Sequence, residues 1–295
     1  MTKTPIVRTF SIVACDLDEK SWGVAVASKF LAVGAVVPFA KAGVGAIATQ
    51  SEANMAYGEQ GLSLMAQGLS ASEALNRLVS EDTGRDHRQV GVVDRQGGAA
   101  TYTGAKCYDW AGGIAGKNFA AQGNILTGEA TVTAMAEAFE KSSGELADRL
   151  CAALAAGDSV GGDRRGKQSA ALLVVKPNGS YGGYTDKYID LRVDDHKEPV
   201  TELANLLKMH HVFFGSSRSA QKIKIEGELA KQFLVTLQRL GYYDGEPETH
   251  INAEAKIALI RFIGVENLEE RFDAEQMLID EPALDYLRKR LLGAA

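Results

Sequence analysis

The stretch Gly161–Val175, "GGDRRGKQSAALLVV", crowds an acid, three bases, an amide and a hydroxyl into one short segment. Its first eight residues approach the phosphate-loop pattern GxxxxGK[ST], with Gly161, Gly166 and Lys167 in place and Gln168 where a magnesium-binding hydroxyl belongs. A phosphate loop needs a strand before it and a helix after it, so that backbone N–H groups and the helix dipole face the phosphates. Here a helical pattern ends near Gly157 and the apolar strand "SAALLVV" follows the loop, an order that argues against a nucleotide site. Gly161 and Gly162 read as a turn at a helix C-terminus. Asp163, Arg164, Arg165, Lys167 and Ser169 then stand between a helix and a buried strand, where polar groups pair with one another or line a cleft.

Other reactive side chains form no set. His210 and His211 are adjacent, about 100° apart on a helix, and cannot share one metal. His87, His196 and His250 have no ligand-type residue at helical spacing, so no metal and no cofactor are expected. Cys15, Cys107 and Cys151 lie far apart without CxxC spacing, which argues against a zinc site or a disulfide framework and suits a reducing compartment. No GxSxG elbow is present. The net charge of −6 opposes nucleic-acid binding, which draws on a basic surface. No run reaches the roughly 20 apolar residues of a membrane span, and the first twenty residues lack a signal-peptide core. A cytoplasmic protein without membrane or nucleic-acid partners is expected.

Elements that could position these groups follow from periodicity. "TFSIVAC", "WGVAVAS", "GAVVPFA" and "VGAIATQ" are short apolar runs bounded by turns and predict strands. Two helices follow, the second capped by Ser70 or Ser72. Strands return at "RQVGVVD" and "AATYTG", and "GKNFAAQGN" reads as one strand ending in a loop. Helices over "GEATVTAMAEAFEKS" and "GELADRLCAALAAG" precede the strands "SAALLVV" and "KYIDLRVDDH". Strands in adjacent sets with helices grouped between them predict antiparallel sheets covered by helical layers. A helix starts at Pro199, a good first-turn residue. Beyond the polar link "GSSRSAQKIKIEG" the chain reads as helices only, which divides it into residues 1–214 and 215–295.

The blocks "TFSIVACD", "WGVAVASKFLAVGAVVPFAKAGVGAIATQ", "AQGN", "GGDRRGKQSAALLVV" and "YIDLRVDDH" together resemble a bacterial family of unknown function with a fold like that of the N-terminal nucleophile (Ntn) hydrolases. The resemblance runs from Thr9 to Leu207. It implies an α/β (α+β) fold, a four-layer αββα sandwich. The tail "LQRLGYYDGEPETHINAEAKIALIRFIGVENLEER" is similar to a peptidoglycan-binding-like helical domain, so a small all-α domain is expected to follow.

By that resemblance the chain is an amidohydrolase acting on an amide or related bond of a small metabolite or peptide. Thr9 stands where the nucleophile would be, its own α-amino group serving as base once freed. Lys41 would lower the nucleophile's pKa, Asn124 would supply an oxyanion donor and Asp163 would orient the amine. Ser28 and Ser169 are further polar candidates, with Arg164, Arg165 and Lys167 as binding residues. Two departures stand out. A free amine at Thr9 requires cleavage after Arg8, and Ala27 precedes Ser28 where proteasome-type enzymes carry an acid. The alternative is a non-catalytic ligand-binding or structural protein, binding a small anion through Arg164, Arg165 or Lys167. A homodimer is expected. In the tail, Tyr242, Tyr243 and Phe262 fit a helical core better than a glycan groove. A wall-binding role demands export, so peptidoglycan is not the favoured partner and the tail reads as a module for assembly or docking.

Overall fold

The computed structural model describes residues 9–215 and 220–292. The chain divides into two compact units between Leu207 and Lys208, within one helix.

In the first unit, β1 (Thr9–Asp16) and β2 (Ser21–Ser28) form a hairpin in register from Thr9↔Ser28 to Asp16↔Ser21. β3 (Pro38–Lys41) and β4 (Gly45–Ser51) follow, then α1 (Ala56–Ala66) and α2 (Ala71–Glu81). Ser70 caps α2 through a capping box closed by Glu73. β5 (Arg88–Asp94), β6 (Ala99–Thr103), β7 (Gly112–Gly116) and β8 (Phe119–Gly123) precede α3 (Ala130–Lys141) and α4 (Leu146–Ser159). β9 (Ser169–Val175) and β10 (Lys187–Val193) complete its strands, and α5 (Pro199–Phe214) begins in this unit and ends in the second. One sheet has the order β10-β9-β2-β1-β8-β7 and another the order β3-β4-β5-β6. Every pairing is antiparallel, as the grouping of strands implied.

The structure adds one strand to the sequence expectation and shortens another. "GKNFAAQGN" holds the expected strand β8, which is the second arm of a hairpin. Its partner β7, "GGIAG", carries three glycines and no β-forming pattern. "GAVVPFA" contains a 3-10 turn at Val33–Ala35, which delays β3 to Pro38.

Alternation along each strand sends neighbouring side chains to opposite faces. Phe10, Ile12 and Ala14 of β1 pack with Met135, Phe139, Leu150 and Leu154 from α3 and α4. Val13 and Cys15 face the other way, joining Val24, Ala46, Ala48 and Val93 between the two sheets. On the far side of the four-stranded sheet, Ile47, Val90 and Val92 pack with Tyr57, Met65, Leu75 and Leu78 from α1 and α2. Helices thus cover the outer face of each sheet, and the inner faces share a core. Phe10, Phe119 and Phe139 are buried, each contributing roughly 1.5–3 kcal/mol of transfer free energy.

The second unit corrects the all-α expectation. It contains β11 (Lys222–Lys224), α6 (Gly227–Arg239), α7 (Ala253–Val265), β12 (Phe272–Asp273), β13 (Leu278–Asp280) and α8 (Glu281–Leu287). The strands form an antiparallel sheet of order β11-β13-β12. Each is only two or three residues long, too short for alternation to show in sequence. Tyr243 and Phe262 are buried, with Tyr242 packed against Phe262, so these rings serve the core. Asp280, 1% exposed, is bonded by Lys222 and lies 3.5 Å from Nη1 of buried Arg271. Among the described residues no helix is long and apolar enough to cross a membrane.

Candidate functional site

The inner layer between the sheets is apolar at one end and polar at the other. At the polar end the register aligns Thr9, Ser28 and Ser169 across β1, β2 and β9. Paired residues on neighbouring strands share a face, so three hydroxyls stand in a row toward the second sheet. Thr9 Oγ1 donates to Ser28 Oγ at 3.1 Å. Ser169 Oγ accepts from Val33 N at 3.1 Å and donates to Phe30 O at 2.5 Å, which fixes the turn after β2. Thr9 and Ser169 are fully buried and Ser28 is 2% exposed.

A set of neutral amides faces this row. Gln50 Oε1 accepts from Ser11 Oγ at 2.7 Å, while its Nε2 donates to Gln89 Oε1 at 2.9 Å and to the Thr9 carbonyl at 3.3 Å. Gln89 Nε2 donates to Thr103 Oγ1 and to the carbonyls of Gly112 and Gly123. Gln122 Nε2 donates to Ser11 Oγ at 2.7 Å. All three glutamines are fully buried. Sequence reasoning missed them, although each is the one amide in its strand, near the strand end, in "ATQS", "RQVGVVD" and "FAAQG". Space for the Gln122 amide comes from Gly91, where a Cβ would lie 2.0 Å from Gln122 Oε1.

The predicted residues separate into those brought to this end and those left elsewhere. Asn124 is fully buried beside Thr9, but its backbone N donates to the Thr9 carbonyl at 3.0 Å and its Nδ2 to Gln89 Oε1 at 2.9 Å. It anchors the strand instead of presenting a free oxyanion donor. Its Oδ1 accepts no hydrogen bond among the described residues. Asp163 is 5% exposed and staples two segments. Its Oδ2 accepts from Lys29 N at 3.0 Å, and its Oδ1 from Arg165 N at 2.9 Å. The Arg165 guanidinium adds bonds of 3.0 and 2.6 Å to the two oxygens. The carboxylate thus holds the residue after Ser28 and has its acceptors occupied.

Lys41 is not among the residues brought to this end. It is exposed at the end of β3, paired with Gly45. Gly45 and Gln50 lie five residues apart on β4, about 16 Å at the usual strand rise, and Gln50 is the residue bonded to Thr9. Lys167 is not free for an anion: its Nζ bonds Asp158 at 2.8 Å and Glu198 at 2.7 Å, and these bonds raise its pKa. Arg165 is committed to Asp163. Arg164 is exposed, and its backbone N donates to Ile125 O at 2.9 Å. Arg8 lies outside the described residues.

Two of the three thiols offer no alternative nucleophile. Burial, with Asp94 and Asp16 adding to it, pushes Cys15 up to about 12, and burial raises Cys107 as well, so neither is a thiolate near neutral pH. Among the described residues no group of three or more His, Cys, Asp or Glu is placed to hold a metal. The site is therefore a buried hydroxyl row backed by neutral amides, with its nearest carboxylate and guanidinium tied to each other.

Residues 9–203 match the model of a family of unknown function, DUF1028, and the chain belongs to that family. Residues 213–287 match a model described as "Putative peptidoglycan binding domain". The crystal structure of a DUF1028 protein from Silicibacter pomeroyi is 32% identical, with a TM-score of 0.64, covering 70% of this chain and 91% of that one. Anbu, the ancestral beta-subunit from Yersinia bercovieri, aligns over 69% of this chain and 95% of its own at 12% identity, with a TM-score of 0.31. That score is too low for fold or function to be read from it. No curated protein matches the chain.

Proposed function

We propose that the first unit is a hydrolase of the N-terminal nucleophile type, with Thr9 as nucleophile, acting on an amide or related bond of a small metabolite or peptide. One observation carries this reading: Thr9 heads β1 with its hydroxyl turned into the inner layer, 3.1 Å from Ser28 Oγ and in register with Ser169. Hydrolysis between Arg8 and Thr9 turns the Thr9 peptide nitrogen into an α-amine, whose pKa near 8 suits a base at neutral pH. The amine takes the hydroxyl proton as Oγ1 bonds to the substrate carbonyl carbon. The carbon–nitrogen bond then breaks and the leaving nitrogen takes that proton. Water hydrolyses the ester, releasing the acid and restoring the hydroxyl. Ser28 positions Oγ1, and Asp163 positions Ser28 through Lys29 N.

Intact-mass measurement of the purified full chain tests the first step. The expected mass lacks residues 1–8, while Thr9→Ala keeps the full-length mass and cleaves none of a panel of amino-acid p-nitroanilides that wild type cleaves. A full-length wild type without amidase activity would overturn the reading. It would favour a second one, a binding or structural protein on the same scaffold, supported by the commitment of Asn124 and Asp163 to holding the strands. A cytoplasmic location accords with three cysteines, Cys15, Cys107 and Cys151, that stand far apart without CxxC spacing.

A further inference from the structure

Helix α7 buries one face and leaves a second apolar face in water. Asn252 caps it, accepting from Ala255 N at 2.9 Å. Ala255, Ala258, Leu259, Phe262 and Ile263 enter the core of the second unit. On the outer side Ile257 is 69% exposed, Ile260 43% and Val265 59%. Three- and four-residue spacing puts Glu254, Ile257 and Arg261 on one face. The flanks are small: Ala253 begins the helix, and a Cβ at Gly264 would meet nothing within 4 Å. Glu254 and Arg261 are both exposed, and neither has an ion-pair or hydrogen-bond partner among the described residues.

We propose that this face is the contact for a second copy of the chain, packed α7 against α7, antiparallel, across a two-fold axis beside Ile257. The charges select this occupant. An acid and a base seven residues apart on one helix face are self-complementary only when the second helix runs the opposite way. Glu254 then meets the partner's Arg261, and two-fold symmetry repeats the pair. A parallel copy would set like charges together. The isoleucines fill the space between the two pairs and leave water together, and Ala253 and Gly264 let the backbones approach at the ends.

Sedimentation of the full-length protein over a concentration series tests the contact. Wild type dimerises. Arg261→Glu and Glu254→Arg each raise the dimer dissociation constant at least tenfold, with helix content by circular dichroism unchanged because both sites are exposed. An equimolar mixture of the two variants restores dimerisation, since one helix then carries two bases and the other two acids. A monomeric wild type, single variants that dimerise as wild type does, or a mixture that stays monomeric would each overturn the proposal. A monomeric wild type that binds insoluble peptidoglycan through this face, losing it on Ile257→Glu, would overturn it by assigning the face to glycan.

Discussion

Replacing Gln89 by leucine tests whether the amide layer holds the two sheets together at the Thr9 end. The side chains are close in volume, so little cavity forms and the effect reports on hydrogen bonding. Gln89 Oε1 is the acceptor for Asn124 Nδ2 at 2.9 Å, and Asn124 Oδ1 already has no partner among the described residues, so Gln89→Leu orphans that buried amide. The bonds to Thr103 Oγ1, Gly112 O and Gly123 O are lost as well. An orphaned buried group costs about 1–3 kcal/mol and each of the three lost bonds about 1, which gives an expected loss of about 4–6 kcal/mol. Urea unfolding followed by the fluorescence of Trp22 and Trp110, both in the first unit, reads this as a midpoint lower by roughly 1–2 M at unchanged slope. Adding Asn124→Leu removes the orphan, so the double variant loses less than the sum of the two single losses. A Gln89→Leu loss below about 0.5 kcal/mol, or strict additivity in the double variant, would refute a role for the amides as one network.

Two pH effects follow from the ion pairs. Burial raises the Asp82 carboxyl, but bonds from Arg88 Nε at 2.8 Å, Gly84 N at 2.7 Å and Tyr57 Oη at 2.8 Å outweigh it and hold the group at about 2. Its folded pKa lies below the unfolded value near 4, so its stabilisation is complete above pH 4 and lost as pH falls through 2. The advantage of wild type over Asp82→Asn should shrink by roughly 1–2 kcal/mol between pH 5 and 2, and urea midpoints at each pH check it. Bonds from Lys167 lower the Glu198 pKa, while Asp158 and Glu198 raise that of Lys167. Lys167→Met should therefore lower the Tm at pH 7. The difference from wild type should close as pH falls below the carboxylate range and again as it rises past the lysine's pKa, and a gap constant with pH would contradict the pairing.

Much of the scaffold was legible because its signals are local. Apolar runs of six to eight residues bounded by turns marked β1, β2, β4 and β9, and Pro199 and a serine at 70 or 72 marked helix starts, with the structure selecting Ser70. The misses share one cause, strands of two to five residues that are too short or too glycine-rich to show a period of their own. β7 exists because β8 pairs with it, and the two- and three-residue strands of the second unit exist because helices α6 to α8 pack around them. Within the loop at Asp163, the sequence displays a crowd of polar residues. It had no means of telling that Arg165 and Lys167 spend their charges on Asp163, Asp158 and Glu198, since those partners approach through folding.

The site shows the same division. By itself the sequence determined that Thr9 opens a strand, that Ser169 opens another after a charged turn, and that helix, loop and strand in that order make no phosphate cradle. Only the tertiary structure decided that Thr9, Ser28 and Ser169 share one register, that Gln50, Gln89 and Gln122 meet behind them, and that Lys41 pairs with Gly45, which is about 16 Å along β4 from Gln50. Strand propensity is carried by neighbours along the chain. Register and the pairing of buried amides depend on which strands lie side by side, and a one-residue slip would send every hydroxyl of the row to the opposite face.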